Sequence, residues 1–247
     1  MPSLPRNACL LLDFDGTLVD FASEPASIQV SADLVPLLAN LHQRLDGALA
    51  MVTGRSLHDL DGYLAPLRLP VAALHGTVRR DGRGKTVADL AAITHFATAS
   101  RGIRERFRHW VDQHPGLLLE DKGYALALHF RRAQPPWRPD ATLLATVQSL
   151  LAPGLEVLRG DQVIEVRPRG SDKGTAVAAF LAEPPFNGRV PVYLGDDLAD
   201  LPALAAVERL GGLGIAVGNR VEASWRLPDP AAARAWLAGT LSSLEVP

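Results

Sequence analysis

Leu10-Leu11-Leu12-Asp13-Phe14-Asp15-Gly16-Thr17 is the stretch that decides how this chain folds. A short apolar run closed by glycine suits a strand buried on both faces of a parallel sheet. Residues i and i+2 of a strand point the same way, so Asp13 and Asp15 start out on one side. Carboxylates that close repel, and burying them is costly unless a cation or a proton compensates. Mg²⁺ suits that place, being a hard ion that takes oxygen ligands through one or two carboxylates plus a substrate phosphate. Gly16 permits a tight turn, and Thr17 offers a hydroxyl and an amide to an anion.

Strand and helix signals alternate on either side of this stretch. Ser31 or Asp33 opens a helix through Leu34, Leu37, Leu38 and Leu41, residues 48–53 form a second buried strand, and Ser56 caps a short helix. Residues 71–75 read as a third strand, with a polar Asp81-Gly82-Arg83-Gly84 turn beyond. The rhythm resumes late in the chain with a helix over 173–181, a strand over 190–194, a helix over 198–206, a strand over 214–218 and a closing helix over 229–244. Such alternation predicts an α/β fold with a parallel sheet and helices on both faces.

The middle reads differently. One long helix over 93–113 is followed by strands flanking Asp121-Lys122-Gly123, where Tyr124, Leu126, Leu128 and Phe130 alternate with Ala125, Ala127, His129 and Arg131. That period of two marks a half-buried antiparallel strand. Pro135-Pro136 marks a loop, residues 139–151 a helix, and 155–159 with 162–167 a second hairpin around Gly160-Asp161. The expected division is therefore a core of residues 1–95 and 171–247 with an inserted α+β unit over 96–170.

The chain has 247 residues, 47% hydrophobic and 21% charged, with a net charge of -2. That balance is ordinary for a globular protein and gives no electrostatic case for nucleic acid or an anionic membrane. A single cysteine, Cys9, excludes an internal disulfide framework and a thiolate zinc site. No apolar run approaches the ~18 residues of a membrane span and no signal peptide is evident, so a cytoplasmic protein is expected.

Three further segments carry chemistry. Thr53-Gly54-Arg55 ends the second strand, where ligands of doubly wound sheets bind, although the same tripeptide also serves as a plain strand-end turn. Lys173 opens a helix, against the macrodipole, which makes sense if its ammonium faces a phosphate or a carboxylate cluster. Gly195-Asp196-Asp197-Leu198-Ala199-Asp200 sets three carboxylates at a strand end, one of which, Asp197, has the alternative of capping a helix.

Taken in order, these four segments resemble the haloacid dehalogenase (HAD) superfamily of phosphatases. Asp13 to Thr17, Val52 to Leu60, Leu74-His75-Gly76, Leu119 to Lys122, Val163 to Gly174 and Gly188 to Asp197 are similar to the trehalose-6-phosphate phosphatases, over nearly the whole chain. One departure is visible, since Leu198, Ala199, Asp200 and Leu201 stand where that family usually continues with Thr-Asp-Glu.

The resemblance implies a HAD-like Rossmannoid core with a C2-type cap, and a Mg²⁺-dependent phosphatase acting on trehalose 6-phosphate. Asp13 would be the nucleophile, Asp15 the general acid and base, and Thr53 with Lys173 the holders of the phosphoryl oxygens. Asp13, the Asp15 carbonyl and Asp196 would bind Mg²⁺, with Asp197 and Asp200 behind them. Gly54, Arg55, His75, Gly76 and, from the cap, Glu120, Lys122 and Glu165 would bind substrate. The rival within the superfamily is a sucrose- or glycosylglycerol-phosphate phosphatase. A phospho-accepting receiver module groups similar residues, but it is about half this length and lacks the second aspartate.

Overall fold

A buried strand ending in carboxylates needs a neighbour on each edge, and β1 (Ala8–Leu12) is buried along its whole length. The computed structural model describes residues 2–20, 28–88, 90–133, 137, 140–160 and 162–244. After β1 come α1 (Leu34–Arg44), β2 (Leu49–Val52), α2 (Leu57–Leu64), β3 (Val71–Ala73), β4 (Val78–Arg80) and β5 (Thr86–Ala88). Next are α3 (Leu90–Ala99), α4 (Arg101–Gln113), β6 (Leu118–Asp121), β7 (Leu126–His129), α5 (Ala141–Leu150), β8 (Leu155–Gly160) and β9 (Val163–Pro168). The alternation then returns with α6 (Lys173–Leu181), β10 (Val190–Gly195), α7 (Leu201–Arg209), β11 (Leu213–Val217), β12 (Trp225–Leu227) and α8 (Pro230–Leu244).

The chain divides into two compact units, Met1–Ala88 with Ser171–Pro247, and Asp89–Gly170. In the first, eight strands run in the order β12-β11-β10-β1-β2-β3-β4-β5. β12 through β3 are parallel, and β4 and β5 add an antiparallel edge. Leu12 pairs with Leu194 on β10 and with Met51 on β2, so the carboxyl ends of all three strands meet. Asp13 therefore emerges beside Gly195 and Asp196, with its amide donating to Leu194 O at 3.0 Å. Cys9 is a buried free thiol on β1.

The second unit is a four-stranded antiparallel sheet in the order β6-β7-β9-β8. Leu126, Leu128, Ile164 and Val166 of its central strands pack with Phe96 of α3, Ile103 and Phe107 of α4 and Val147 of α5. Phe96 lies fully within this core, so α3 belongs here and the division falls after Ala88, earlier than the expected 95/96.

Three other expectations need correcting. The helix read over 93–113 is two helices that meet at Ser100, where ψ opens to 0° ahead of Arg101-Gly102. Ser and Gly together are a usual cause of such kinks. The third strand stops at Ala73 rather than His75, because Leu74, His75 and Gly76 all take positive φ and form a 3-10 turn. The helix expected from Leu198 begins as a 3-10 turn, Leu198–Asp200, with α7 following. The turn expected at Asp81 to Gly84 is present, and it joins two hairpin strands, β4 and β5, that are too short to show a period. Pro135-Pro136, Pro139 and Asp161 lie outside the described residues, of which no helix is long and apolar enough to cross a membrane.

Candidate active site

The carboxyl ends of β1 and β10 and the start of α6 put three carboxylates around one ammonium. Lys173 Nζ donates to Asp13 Oδ1 at 2.6 Å and to Asp200 Oδ1 at 2.7 Å. Asp172 caps α6 through the Thr175 amide, and Thr175 returns its hydroxyl to the Asp172 amide, so the helix start is fixed without help from Lys173. The lysine is then free to face inward. Burial alone would lower its pKa, but Asp13 and Asp200 outweigh that and hold it protonated above its ordinary range.

Asp200 is fully buried and its carboxylate accepts four hydrogen bonds. Oδ1 takes Lys173 and, at 2.5 Å, the Tyr193 hydroxyl; Oδ2 takes the amides of Asp196 and Asp197 at 3.0 Å each. Gly195 makes this possible, since a Cβ there would stand 2.4 Å from Asp200 Cγ. Asp197 accepts from the Leu198 amide and caps the 3-10 turn, the structural alternative that its position had left open. Tyr193 was not anticipated. The available signal was a phenol inside an otherwise aliphatic buried strand, where a hydroxyl requires a partner.

Thr17 joins Asp13 to Asp196 inside the cluster. Its hydroxyl lies 3.2 Å from Asp13 Oδ2 and 3.1 Å from Asp196 Oδ1. Burial and the nearby Asp200 push Asp13 well above the usual carboxylate range, against the pull of Lys173. The same two causes push Asp196 up to about 7, opposed by Lys173 and Arg220. Oxygen atoms of Asp13, Asp196 and Asp200 lie within 4.8 Å of one another.

Asp15 points elsewhere. Arg55 grips its carboxylate with Nε and Nη2, both at 2.6 Å, and lies over the Tyr63 ring at 4.9 Å and the Phe14 ring at 5.9 Å. Thr53 is buried, and its hydroxyl accepts from the Arg55 amide at 3.1 Å. The amide of His75 donates to Thr53 O at 3.0 Å, which brings the 3-10 turn against the end of β2. Gly54 is required there, because a Cβ would stand 2.9 Å from the His75 ring. Gly76 abuts Ala176 of α6, so this turn also touches the helix that carries Lys173.

The family model described as trehalose-phosphatase matches residues 11–230. The chain belongs to the trehalose-phosphatase family. A trehalose-6-phosphate phosphatase of Escherichia coli (strain K12) is 39% identical, aligned over 99% of this chain and 90% of its own length. A solved trehalose-6-phosphate phosphatase related protein superposes with a TM-score of 0.78 at 28% identity, over 95% of this chain and 97% of that one. A phosphatase of the haloalkanoate (HAD) enzyme superfamily from Bacteroides thetaiotaomicron shares the fold, with a TM-score of 0.61 at 21% identity over 99% and 97% of the two chains. The trehalose-phosphatase family thus supplies a HAD-like frame for the carboxylate cluster.

Glu120, Lys122 and Glu165 lie in the second unit. The register Glu120–Ala127–Glu165 sets both glutamates in one row on one sheet face. Lys122 Nζ reaches Glu165 Oε2 at 2.8 Å, and His129 Nε2 reaches Glu120 Oε2 at 2.8 Å. Burial works to raise the Glu120 pKa, but His129 and Lys122 outweigh it and hold the carboxyl below its ordinary value. His129 had entered the sequence reading only as one of the alternating strand positions.

Proposed function

We propose that the chain hydrolyses trehalose 6-phosphate to trehalose and phosphate through an aspartyl-phosphate on Asp13, with Mg²⁺ as cofactor. Charge balance supports this reading most. When ionised, Asp13, Asp196 and Asp200 bring three negative charges against the one positive charge of Lys173, leaving two, the charge of one divalent cation. The donor set is all oxygen, which fits Mg²⁺. Asp200 already accepts four hydrogen bonds, so the carboxylates of Asp13 and Asp196, with the Asp15 carbonyl, would hold the ion. When bound, Mg²⁺ supplies Lewis-acid stabilisation of charge at the phosphoryl oxygens.

The residues then divide the work. An Asp13 oxygen forms a bond to phosphorus as the bond from phosphorus to the sugar oxygen breaks, and Asp15 gives that oxygen its proton. In the second half, Asp15 takes a proton from water, the water oxygen bonds to phosphorus, and the bond to Asp13 breaks to release phosphate. Thr53 and Lys173 hold the other phosphoryl oxygens, Lys173 also favours the ionised form of Asp13 against its burial, and Asp200 aims Lys173. Asp197 supports the turn behind Asp196. Gly54, Arg55, His75 and Gly76 line the substrate's approach. The second unit serves as a C2-type cap in which Glu120, Lys122 and Glu165 bind sugar hydroxyls.

Phosphate release from trehalose 6-phosphate, with Mg²⁺ and with excess chelator, tests the reading beside sucrose and glucosylglycerol phosphates. Mg²⁺-dependent turnover that is fastest on trehalose 6-phosphate is expected, and Asp13→Asn should abolish it in a folded protein. Full activity in chelator, or near wild-type activity of Asp13→Asn, would sink the mechanism. Faster turnover of another sugar phosphate would sink the substrate.

A further inference from the structure

We infer that Arg220 sets the Mg²⁺ affinity of this chain, by occupying Asp196 as a counter-cation that the metal must displace. This rests on the Mg²⁺ site proposed above. Asp196 Oδ1 is turned to Thr17, while Oδ2 faces Arg220 Nη1 at 3.3 Å. The Asp196 side chain is 5% exposed and that of Arg220 34%, so a buried anion meets a cation that still reaches water. Once ionised, the three carboxylates retain two negative charges after Lys173. Arg220 offsets one of them, whereas a divalent ion offsets both. A guanidinium and a dication that share one carboxylate repel each other at short range, so binding of one weakens binding of the other.

The loop that carries Arg220 has fastenings of its own. Arg226 fastens that segment by donating to Gly218 O and, at 3.1 Å, to Val221 O. The Gly218 amide also donates to Leu227 O at 2.8 Å. A cleft of about 180 Å³ beside Asp196 gives the guanidinium somewhere to go, lined by Gly16, Asp20, Asn219, Arg220 and Asp229 among others. Asp20 and Asp229 are among the residues that line it. Asp229 also accepts the Ala232 amide at 2.7 Å, and this cap can persist while another oxygen receives the arginine. Displacement therefore exchanges one acidic partner for others and leaves no charge buried alone.

Calorimetric titration of the metal-free protein with MgCl₂ at low ionic strength tests the inference without reference to turnover. Arg220→Met keeps the stem and removes the charge, and should tighten the Kd for Mg²⁺ by roughly three- to tenfold. Arg220→Lys keeps a charge and should stay near wild type. In chelator, Arg220→Met should melt below wild type, because Asp196 has lost a counter-charge, and Mg²⁺ should raise its Tm by more. A Kd that is unchanged or weaker in Arg220→Met, with wild type binding Mg²⁺, overturns the competition and leaves the metal site standing. If wild type binds no Mg²⁺ at millimolar concentration, the site and the competition both fall. Should Arg220→Met not fold, Arg220→Gln carries the same titration, and failure of both variants to fold would show an anchoring role and overturn the inference.

Discussion

Lys173 Nζ stands 2.6 Å from Asp13 Oδ1, with both side chains about 95% buried. Removing the ammonium leaves a buried carboxylate beside two others, and the cheapest remedy is a proton. Lys173→Met should therefore lower kcat by about 10²–10³-fold, the range typical for loss of one oriented donor in a dry site. At a pH high enough to keep the carboxylates ionised, the variant should bind Mg²⁺ at least as tightly as wild type, since a positive charge has left the site. Phosphate release with a calorimetric Mg²⁺ titration checks both, and weakened metal binding would contradict the charge count.

The two parallel hydrogen bonds from Arg55 to Asp15, each 2.6 Å, aim the carboxylate that is proposed to move protons. Arg55→Ala should lower kcat by roughly ten- to a hundredfold, as misaimed catalytic groups do. Arg55→Lys should restore only part of the loss, because a point charge cannot reproduce the planar fork. In a double-mutant cycle with Asp15→Asn, the second change should add little to the first. Fully additive losses would show that Arg55 acts on substrate independently of Asp15.

Much of this site was legible because its residues stand at strand ends. A strand that stops at Asp13, another at Gly195 and a helix that starts at Lys173 converge in any parallel sheet, whatever the side-chain detail. Bounds were clearest where burial and capping agree, as at α6, whose limits match the sequence reading. Periodicity could not reveal the positive φ of His75, since backbone handedness leaves no hydrophobic pattern and only Gly76 hinted at it. Partners within the cluster were equally hidden. The contact between Tyr193 and Asp200, and that between Arg220 and Asp196, join a strand or its end to a later turn, which sequence spacing does not relate.

The raised pKa of Asp196, about 7 in the folded metal-free chain, has a thermal consequence. Between about pH 4 and pH 7 the folded state binds more protons than the unfolded chain, so stability falls as pH rises through that window. Asp13 is raised in the same direction by the same burial and adds to the fall. Metal-free protein should thus melt higher near pH ~5 than near pH ~8, and saturating Mg²⁺ should remove most of the difference. A metal-free Tm that climbs across this interval would contradict the protonated cluster.

The sugar-binding prediction concerns the second unit. Lys122 and Glu165 form an ion pair at 2.8 Å with 12% and 8% side-chain exposure, and Glu120 is paired with His129 at 2.8 Å. Groups so fixed are preorganised to meet hydroxyls, and a neutral disaccharide offers many. Replacing Glu120, Lys122 or Glu165 by Ala should lower kcat/KM on trehalose 6-phosphate by about 10²-fold or more, as sites built to hydrogen-bond a substrate do. Glu165→Ala should be the most damaging of the three, because it also removes the carboxylate that Lys122 grips at 2.8 Å. Hydrolysis of a small aryl phosphate, which has no disaccharide, should change less than threefold in all three variants, as it draws only on the carboxylate cluster. Equal losses on both substrates would mean that these residues hold the second unit together rather than read the sugar.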